Sequence, residues 1–120
     1  TEPAIDRGGL GGHVAGLDDA AAALDRFTPE AVAAACGIQA ATTRRIAAEF
    51  AGAPTAVAYG RIGTHTTRYG TIASWLVDLL NVITGNLDVP GGAMFPYAAT
   101  ERLRSPRGFR TGRWQSRVQR

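Results

Sequence analysis

Residues 54–92, PTAVAYGRIGTHTTRYGTIASWLVDLLNVITGNLDVPGG, decide the fold of this chain. Residues 55–59 form a short apolar run between Pro54 and Gly60, and this pattern predicts one β-strand. The run is apolar almost throughout, which is typical of a strand in a parallel sheet covered on both faces. No second strand is evident in the sequence. The partners of this strand are therefore expected outside the chain, or the strand prediction is wrong.

A long apolar helix is predicted over residues 71–84, after a glycine-containing loop. Apolar side chains occupy nearly its whole circumference, so we expect a central, buried helix. Its polar residues recur at intervals of three and four and therefore lie along one stripe: Thr71, Ser74, Asp78 and Asn81. This stripe faces either a ligand or the solvent and partner side, and we favour the second interpretation. The strand, the loop and the helix together predict an α/β fold that is mostly helical.

The loop between the predicted strand and helix carries most of the residues with useful chemistry. In open α/β sheets, ligands bind at the carboxyl ends of strands, where glycine lets the backbone approach closely. Threonine hydroxyls, His65 and two arginines can donate hydrogen bonds to a phosphate or a heterocycle. The nicotinamide-binding pattern G-x-G-x-x-G is absent. On spacing alone, an ordinary connection with a polar tip is an equally good interpretation.

Three short helices are predicted before this region. Asp18 or Asp19 is expected to cap the first, which runs through Arg26. The second begins with Thr28 as its N-cap and ends at Gly37, and the third spans residues 40–51. Cys36 falls in the last turn of the second helix among alanines. A helix C-terminus disfavours a thiolate, so we expect Cys36 to be a buried structural residue.

Composition excludes several classes of protein. All thirteen basic residues are arginine, which rules out the lysine-dependent phosphate loop of P-loop enzymes. A single cysteine excludes an internal disulfide and a zinc site built on paired cysteines. No apolar run reaches the ~20 residues needed to cross a bilayer, so we expect a cytoplasmic chain without a membrane span.

Residues 59–95, YGRIGTHTTRYGTIASWLVDLLNVITGNLDVPGGAMF, resemble the molybdopterin oxidoreductase family, which includes formate dehydrogenases, nitrate reductases and dimethyl sulfoxide reductase. A glycine and His-Thr loop, an apolar helix and a T-G-N-x-x-x-P-G-G ending occur in that family in the same order at similar spacing. Residues 27–54, FTPEAVAAACGIQAATTRRIAAEFAGAP, resemble the helix pair that precedes them there. The resemblance covers residues 17–97 well and residues 112–118, GRWQSRV, more loosely, and its T-G-N to P-G-G part is the most specific element.

This resemblance implies a partial Rossmann-like domain of a large subunit that binds bis(molybdopterin guanine dinucleotide) with molybdenum or tungsten. Such subunits usually also carry an iron–sulfur 4Fe-4S cluster, and they perform two-electron redox chemistry or oxygen-atom transfer. The residues expected beside the pterin or its phosphates, or in the adjoining turn, are Gly60, Arg61, Gly63, Thr64, His65, Thr66, Gly85, Asn86, Pro90, Gly91 and Gly92.

The departures from the family pattern limit what this chain is expected to do. The cysteines of the cluster and the residue that ligates the metal lie upstream of the matched region in the family, and Cys36 corresponds to none of them. We therefore predict no catalytic residue, no metal ligand and no turnover by this chain alone. The first residue is not Met, and the chain is interpreted as an internal fragment. Its expected partners are the remainder of the large subunit and an electron-transfer subunit.

The sequence divides into a glycine-rich entry segment (1–16), a partial cofactor-binding domain (17–97) and an arginine-rich tail (98–120). Residues 1–100 hold six Arg against nine Asp and Glu, a net charge of −3, whereas residues 101–120 hold seven Arg and one Glu, a net charge of +6. The alternative function is a small helical module whose tail binds nucleic acid. We favour a tail that packs on other parts of the large subunit, with nucleic acid not expected as a partner.

Overall fold

A computed structural model describes residues 13–94, and this part of the chain is mostly helical. Five helices follow one another: α1 (Leu17–Leu24), α2 (Pro29–Cys36), α3 (Ala40–Gly52), α4 (Ile62–His65) and α5 (Gly70–Ile83). Within residues 13–94 no β-strand forms and no helix is long and apolar enough to cross a membrane. The arginine-rich tail and all but the last four residues of the entry segment lie outside the described residues.

Helices α2 and α3 form a packed pair whose ends follow the sequence signals. Thr28 caps α2, because its hydroxyl accepts a hydrogen bond from the N–H of Ala31 at 3.2 Å. Gly37 ends the helix in the left-handed region with φ 70°, as predicted for a glycine at this position. Across the pair, the guanidinium of Arg44 donates to both carboxylate oxygens of Glu30, at 3.1 and 2.8 Å.

Cys36 is exposed, so its predicted burial is wrong. Its thiol donates weakly to the carbonyls of Ala33 and Ile38, at 3.7 and 3.9 Å. The alanines around it are too small to cover the end of the helix, and Ile38 is itself exposed. The prediction assumed a core around α2 that residues 13–94 do not provide.

Helix α5 begins and ends one residue earlier than predicted, and it packs against α4. Its apolar side is exposed, which differs from the buried helix that the sequence predicts. Ile72 is 56% exposed, Trp75 49% and Leu80 37%. Only Gly70 and Asn81 are buried in α5, because no other helix of residues 13–94 packs on its apolar side.

Residues 55–59, predicted as a strand, have no neighbouring strand within residues 13–94. They connect α3 to the loop that contains α4. The hydrogen bonds that a neighbouring strand normally makes are instead made by side chains from other parts of the chain. These contacts define the candidate site.

Candidate functional site

Three side chains hydrogen-bond to one edge of the main chain between residues 56 and 60. The N–H of Ala56 donates to Oδ1 of Asn86 at 3.2 Å. The N–H of Ala58 donates to Oδ1 of Asn81 at 2.8 Å, and Nδ2 of Asn81 donates to the carbonyl of Ala58 at 2.9 Å. The third side chain is that of His65, which contacts the carbonyl of Gly60. The main-chain groups that these three side chains contact belong to Ala56, Ala58 and Gly60.

The spacing of these contacts shows that residues 56–60 are extended. In an extended chain the main-chain groups of every second residue point to the same edge. Here the bonded residues are 56, 58 and 60, and side-chain burial alternates in step, with Val57 and Tyr59 exposed. We call the bonded groups of Ala56, Ala58 and Gly60 the paired edge. A row of side chains thus replaces a strand on that edge.

His65 fixes the loop against both the extended segment and α5. Its Nε2 lies 3.0 Å from the carbonyl of Gly60, which can only accept, so Nε2 carries a hydrogen. Its Nδ1 makes a short contact with the hydroxyl of Ser74. That hydroxyl also lies within hydrogen-bonding distance, 2.7 Å, of the carbonyl of Gly70. Both ring nitrogens of His65 are therefore engaged within the chain.

The other polar side chains of the loop divide into engaged and open groups. The hydroxyl of Thr66 donates to the carbonyl of Ile62 at 2.8 Å, and that of Thr67 donates to Thr64 at 3.3 Å. Arg61 is exposed and forms no ion pair with any residue from 13 to 94. The hydroxyl of Thr64 has no hydrogen bond within the same range. Arg68 is also exposed and forms no ion pair in this range, and its guanidinium lies over the ring of Tyr69. The groups of this loop that remain available to an anion are therefore the side chains of Arg61, Thr64 and Arg68.

Three glycines of the loop occupy different environments. A Cβ at Gly63 would meet nothing within 4 Å, so the main chain is open to approach there. A Cβ at Gly70 would overlap the carbonyl of His65, so only glycine fits between that carbonyl and the start of α5. Gly60 has ordinary clearance, with the ring of His65 at 3.4 Å.

The T-G-N to P-G-G turn closes on itself behind the extended segment. Gly85 adopts φ 71°, as the sequence predicts for this position or the next. The N–H of Ala93 donates to Asn86 at 2.8 Å, and the N–H of Asp88 donates to Ala93 at 2.6 Å. Asp88 is 1% exposed and holds φ 57°, which aspartate tolerates better than most residues.

The two terminal glycines of this turn are required by close contacts. Gly91 has φ 82°, and a Cβ there would lie 2.9 Å from Cγ2 of Thr55. A Cβ at Gly92 would overlap the carbonyl of Asn86. Pro90 precedes both glycines and is exposed. The turn therefore packs against the start of the extended segment, and Asn86 joins the two through its side chain.

The structure thus brings the predicted site residues into two groups around residues 55–60. Gly60, Arg61, Gly63, Thr64, His65 and Thr66 follow the segment directly, whereas Asn86 and Gly91 reach its beginning. Asn81 is a member of the polar stripe on α5 that sequence reasoning assigned to the solvent or partner side. It is 1% exposed and faces the segment instead. Nδ2 of Asn81 also donates to the carbonyl of Val77, four residues earlier in the helix, at 3.0 Å. The position of Asn81 in the helix pattern gave no indication that its side chain would bond to the extended segment.

Short helix α4 is the other feature that the sequence did not predict. Residues 62–65 form one helical turn inside the loop, in which the N–H of His65 donates to the carbonyl of Arg61 at 3.2 Å. This turn brings the imidazole back over Gly60. A run of threonine and glycine has low helix propensity, so composition could not reveal it.

The residues described carry no group of three or more His, Cys, Asp or Glu side chains arranged to hold a metal ion. No family model, no curated protein and no solved structure matches this chain.

Proposed function

We propose that this chain is a cofactor-binding segment of a molybdopterin guanine dinucleotide-dependent oxidoreductase, with residues 60–66 as the loop that contacts the cofactor. The proposal rests on the resemblance of residues 59–95 to that family. The arrangement that supports it most directly is the extended segment 56–60, held along one edge and followed at its carboxyl end by an open glycine loop and then by a long helix. In the α/β fold that the resemblance implies, this segment is one strand of a Rossmann-like sheet.

The loop has the properties that a phosphate or pterin needs from a protein. Gly63 leaves its main chain open, so a flat ring or a phosphate can approach without displacing a side chain. Arg61 is exposed and always charged, and its planar guanidinium suits two oxygens of one phosphate. Thr64 adds a hydroxyl donor beside it. These three residues are the ones we assign to direct contact.

The remaining predicted residues act by fixing the position of this loop. Both nitrogens of His65 are engaged with Gly60 and Ser74, so we assign it to holding the loop, in place of a contact with the cofactor. Asn86 joins the T-G-N turn to the segment. The cofactor, when bound, supplies the metal-centred two-electron chemistry, and the protein supplies position and electrostatics.

The deciding experiment measures cofactor content in the polypeptide that contains this segment, produced in a host that makes molybdopterin guanine dinucleotide. Metal is measured by elemental analysis, and pterin by fluorescence after oxidation. Gly63→Val adds a branched side chain where the approach is open, and we expect it to lower both contents severalfold.

Gly52→Val is the matched control, because a Cβ at Gly52 also meets nothing within 4 Å but lies at the end of α3, outside the loop. It is expected to leave both contents unchanged. Equal metal and pterin content in the Gly63→Val variant and the unmodified protein contradicts the assignment. So does the absence of pterin from the unmodified protein.

A further inference from the structure

His65 and Ser74 connect the extended segment to α5 through a row of polar contacts, which we call the His65 network. Nε2 of His65 lies 3.0 Å from the carbonyl of Gly60, and its Nδ1 contacts the hydroxyl of Ser74. That hydroxyl lies 2.7 Å from the carbonyl of Gly70 at the start of α5. Both outer groups are carbonyls, which accept hydrogen bonds and never donate them. Each contact of the network therefore needs a hydrogen from His65 or Ser74.

The number of hydrogens available depends on the charge of His65. The hydroxyl of Ser74 carries one hydrogen, and a neutral imidazole carries one more. If the neutral ring holds its hydrogen on Nε2, the hydroxyl donates to Nδ1, and its contact with the carbonyl of Gly70 has no hydrogen. If the ring holds it on Nδ1, Nε2 faces the carbonyl of Gly60 without one. The charged ring has a hydrogen on both nitrogens, so every contact of the network becomes a hydrogen bond.

We infer that His65 is protonated when the loop is closed against α5, and that this proton makes the attachment of the loop sensitive to pH. The charged ring makes one more hydrogen bond than the neutral ring, and hydrogen bonds from a charged donor are stronger than those between neutral groups. The contribution to stability is present in full below about pH 6.5, where histidine in the unfolded chain also binds a proton, and is lost as the pH rises above that range. This inference does not depend on the proposed cofactor.

The charged groups around the network do not replace these hydrogen bonds. Within residues 13–94 no carboxylate forms an ion pair with His65. The charged or titratable side chains of the elements that pack here are Tyr59 in the extended segment, Arg61, Arg68 and Tyr69 in the loop, and Asp78 in α5. The two arginines oppose another positive charge and Asp78 favours it, but all three are exposed and are screened by water and salt. Tyrosine titrates at about pH 10, outside the range of histidine.

The test records the nitrogen chemical shifts of His65 by NMR, because these shifts distinguish the charged ring from each neutral form. The full 120-residue chain is used in a His13→Gln background, in which His65 is the only histidine. At one pH within the histidine range, the ratio of charged to neutral ring should be about three- to tenfold higher than in the Ser74→Ala variant, which removes one hydrogen-bond partner. Thr71→Ala, on the same stripe of α5, is the control and should leave the ratio unchanged.

Stability gives a second measurement of the same proton. Urea unfolding of the unmodified chain should show a free energy of unfolding that falls as the pH rises from about 5 to 8, and the His65→Gln chain should lack this component. If His65→Gln does not fold, as judged by circular dichroism, the NMR comparison decides. A neutral His65 ring in the folded chain at about pH 6 overturns the inference. So does an equal ratio in the unmodified and Ser74→Ala chains, or the same dependence of stability on pH with and without His65.

Discussion

The carboxamide of Asn81 pairs with the main chain of Ala58 in both directions. Oδ1 accepts from the N–H of Ala58 at 2.8 Å, and Nδ2 donates to its carbonyl at 2.9 Å. This is the pattern that one residue of a neighbouring strand presents, supplied here by a side chain of α5. Because Asn81 is 1% exposed, these hydrogen bonds are shielded from water. A donor or acceptor left without its partner here would therefore lower the stability of the fold.

Asn81→Ala is therefore expected to lower the free energy of unfolding by about 2 to 3 kcal/mol, since it leaves both main-chain groups of Ala58 without partners. Urea unfolding followed by circular dichroism measures the loss. Amide hydrogen exchange should show that the N–H of Ala58 loses its protection. Asp78→Ala, on an exposed position of the same helix, is the control and should change stability by no more than about 0.5 kcal/mol. Equal effects of the two substitutions would contradict the role given to Asn81.

Gly70 and Gly63 should respond oppositely to alanine. A Cβ at Gly70 overlaps the carbonyl of His65, so Gly70→Ala forces α4 and α5 apart and should cost about 1 to 3 kcal/mol. Gly63→Ala meets open space inside a helical turn and should be neutral or slightly stabilising. Thermal unfolding of both variants checks the difference. A Gly70→Ala variant as stable as the unmodified chain would show that the packing of His65 against the start of α5 is wrong.

His65 and Ser74 are expected to act as a coupled pair. Alanine at either position removes the contact between Nδ1 and the serine hydroxyl, so the double variant should lose less than the sum of the single losses. We expect a coupling energy of about 0.5 to 1.5 kcal/mol from a double-mutant cycle in urea. Thr71→Ala, on the same polar stripe of α5, replaces Ser74→Ala in the control cycle. Strict additivity of the His65 and Ser74 substitutions would count against the pairing.

The contact between α2 and α3 should weaken in acid. The guanidinium of Arg44, which donates two hydrogen bonds to the carboxylate of Glu30, lowers the pKa of that carboxyl below its ordinary value of 4.5. A lowered folded-state pKa means that this contribution to stability is present above pH 4.5 and is lost as the pH falls through the lower, folded value. Both side chains are exposed, so salt should reduce the effect.

Stability measured at a series of pH values in unmodified and Glu30→Gln chains isolates this contribution. In the Glu30→Gln variant, the free energy of unfolding should fall less as the pH is lowered, because the loss caused by protonation of Glu30 is absent. Glu49→Gln changes a pair within α3 only, so it should leave the contact between the two helices intact. If the acid dependence is the same with and without the Glu30 carboxyl, the ion pair does not join α2 to α3 in solution.

Local signals in the sequence predicted the ends of α2 and α5 well, whereas the cap predicted at Asp18 or Asp19 is wrong, because α1 begins at Leu17 after Gly16 and has no side-chain cap. The N-cap at Thr28, the left-handed residue Gly37 and the apolar helix after the loop were all confirmed, and of the two candidates for the next left-handed residue, Gly85 and Asn86, the structure has Gly85. Each depends on a few neighbouring residues. Burial was predicted poorly, since Cys36 and Trp75 were expected to be buried and both are exposed. The burial of a helix depends on what packs around it, and the sequence of the helix itself does not contain this information.

Long-range side-chain contacts could not be predicted either. Asn81 and Ala58 are separated by 23 residues, and no periodicity relates an asparagine on a helix to the main chain of a distant segment. The mostly helical character was confirmed for residues 13–94. The Rossmann-like sheet stays a prediction, because a strand is defined by its neighbour and residues 55–59 have none in the described range.

All three side chains that hold residues 56–60 come later in the chain than the segment they hold. During synthesis from the N-terminus the segment therefore emerges before its partners, and Asn86 follows Ala56 by 30 residues. At ribosomal rates of about 5 to 20 residues per second, Asn86 is synthesised roughly 2 to 6 s after Ala56. Throughout that interval both edges of the segment lack partners, and unpaired edges of this kind make an incompletely folded chain prone to aggregation.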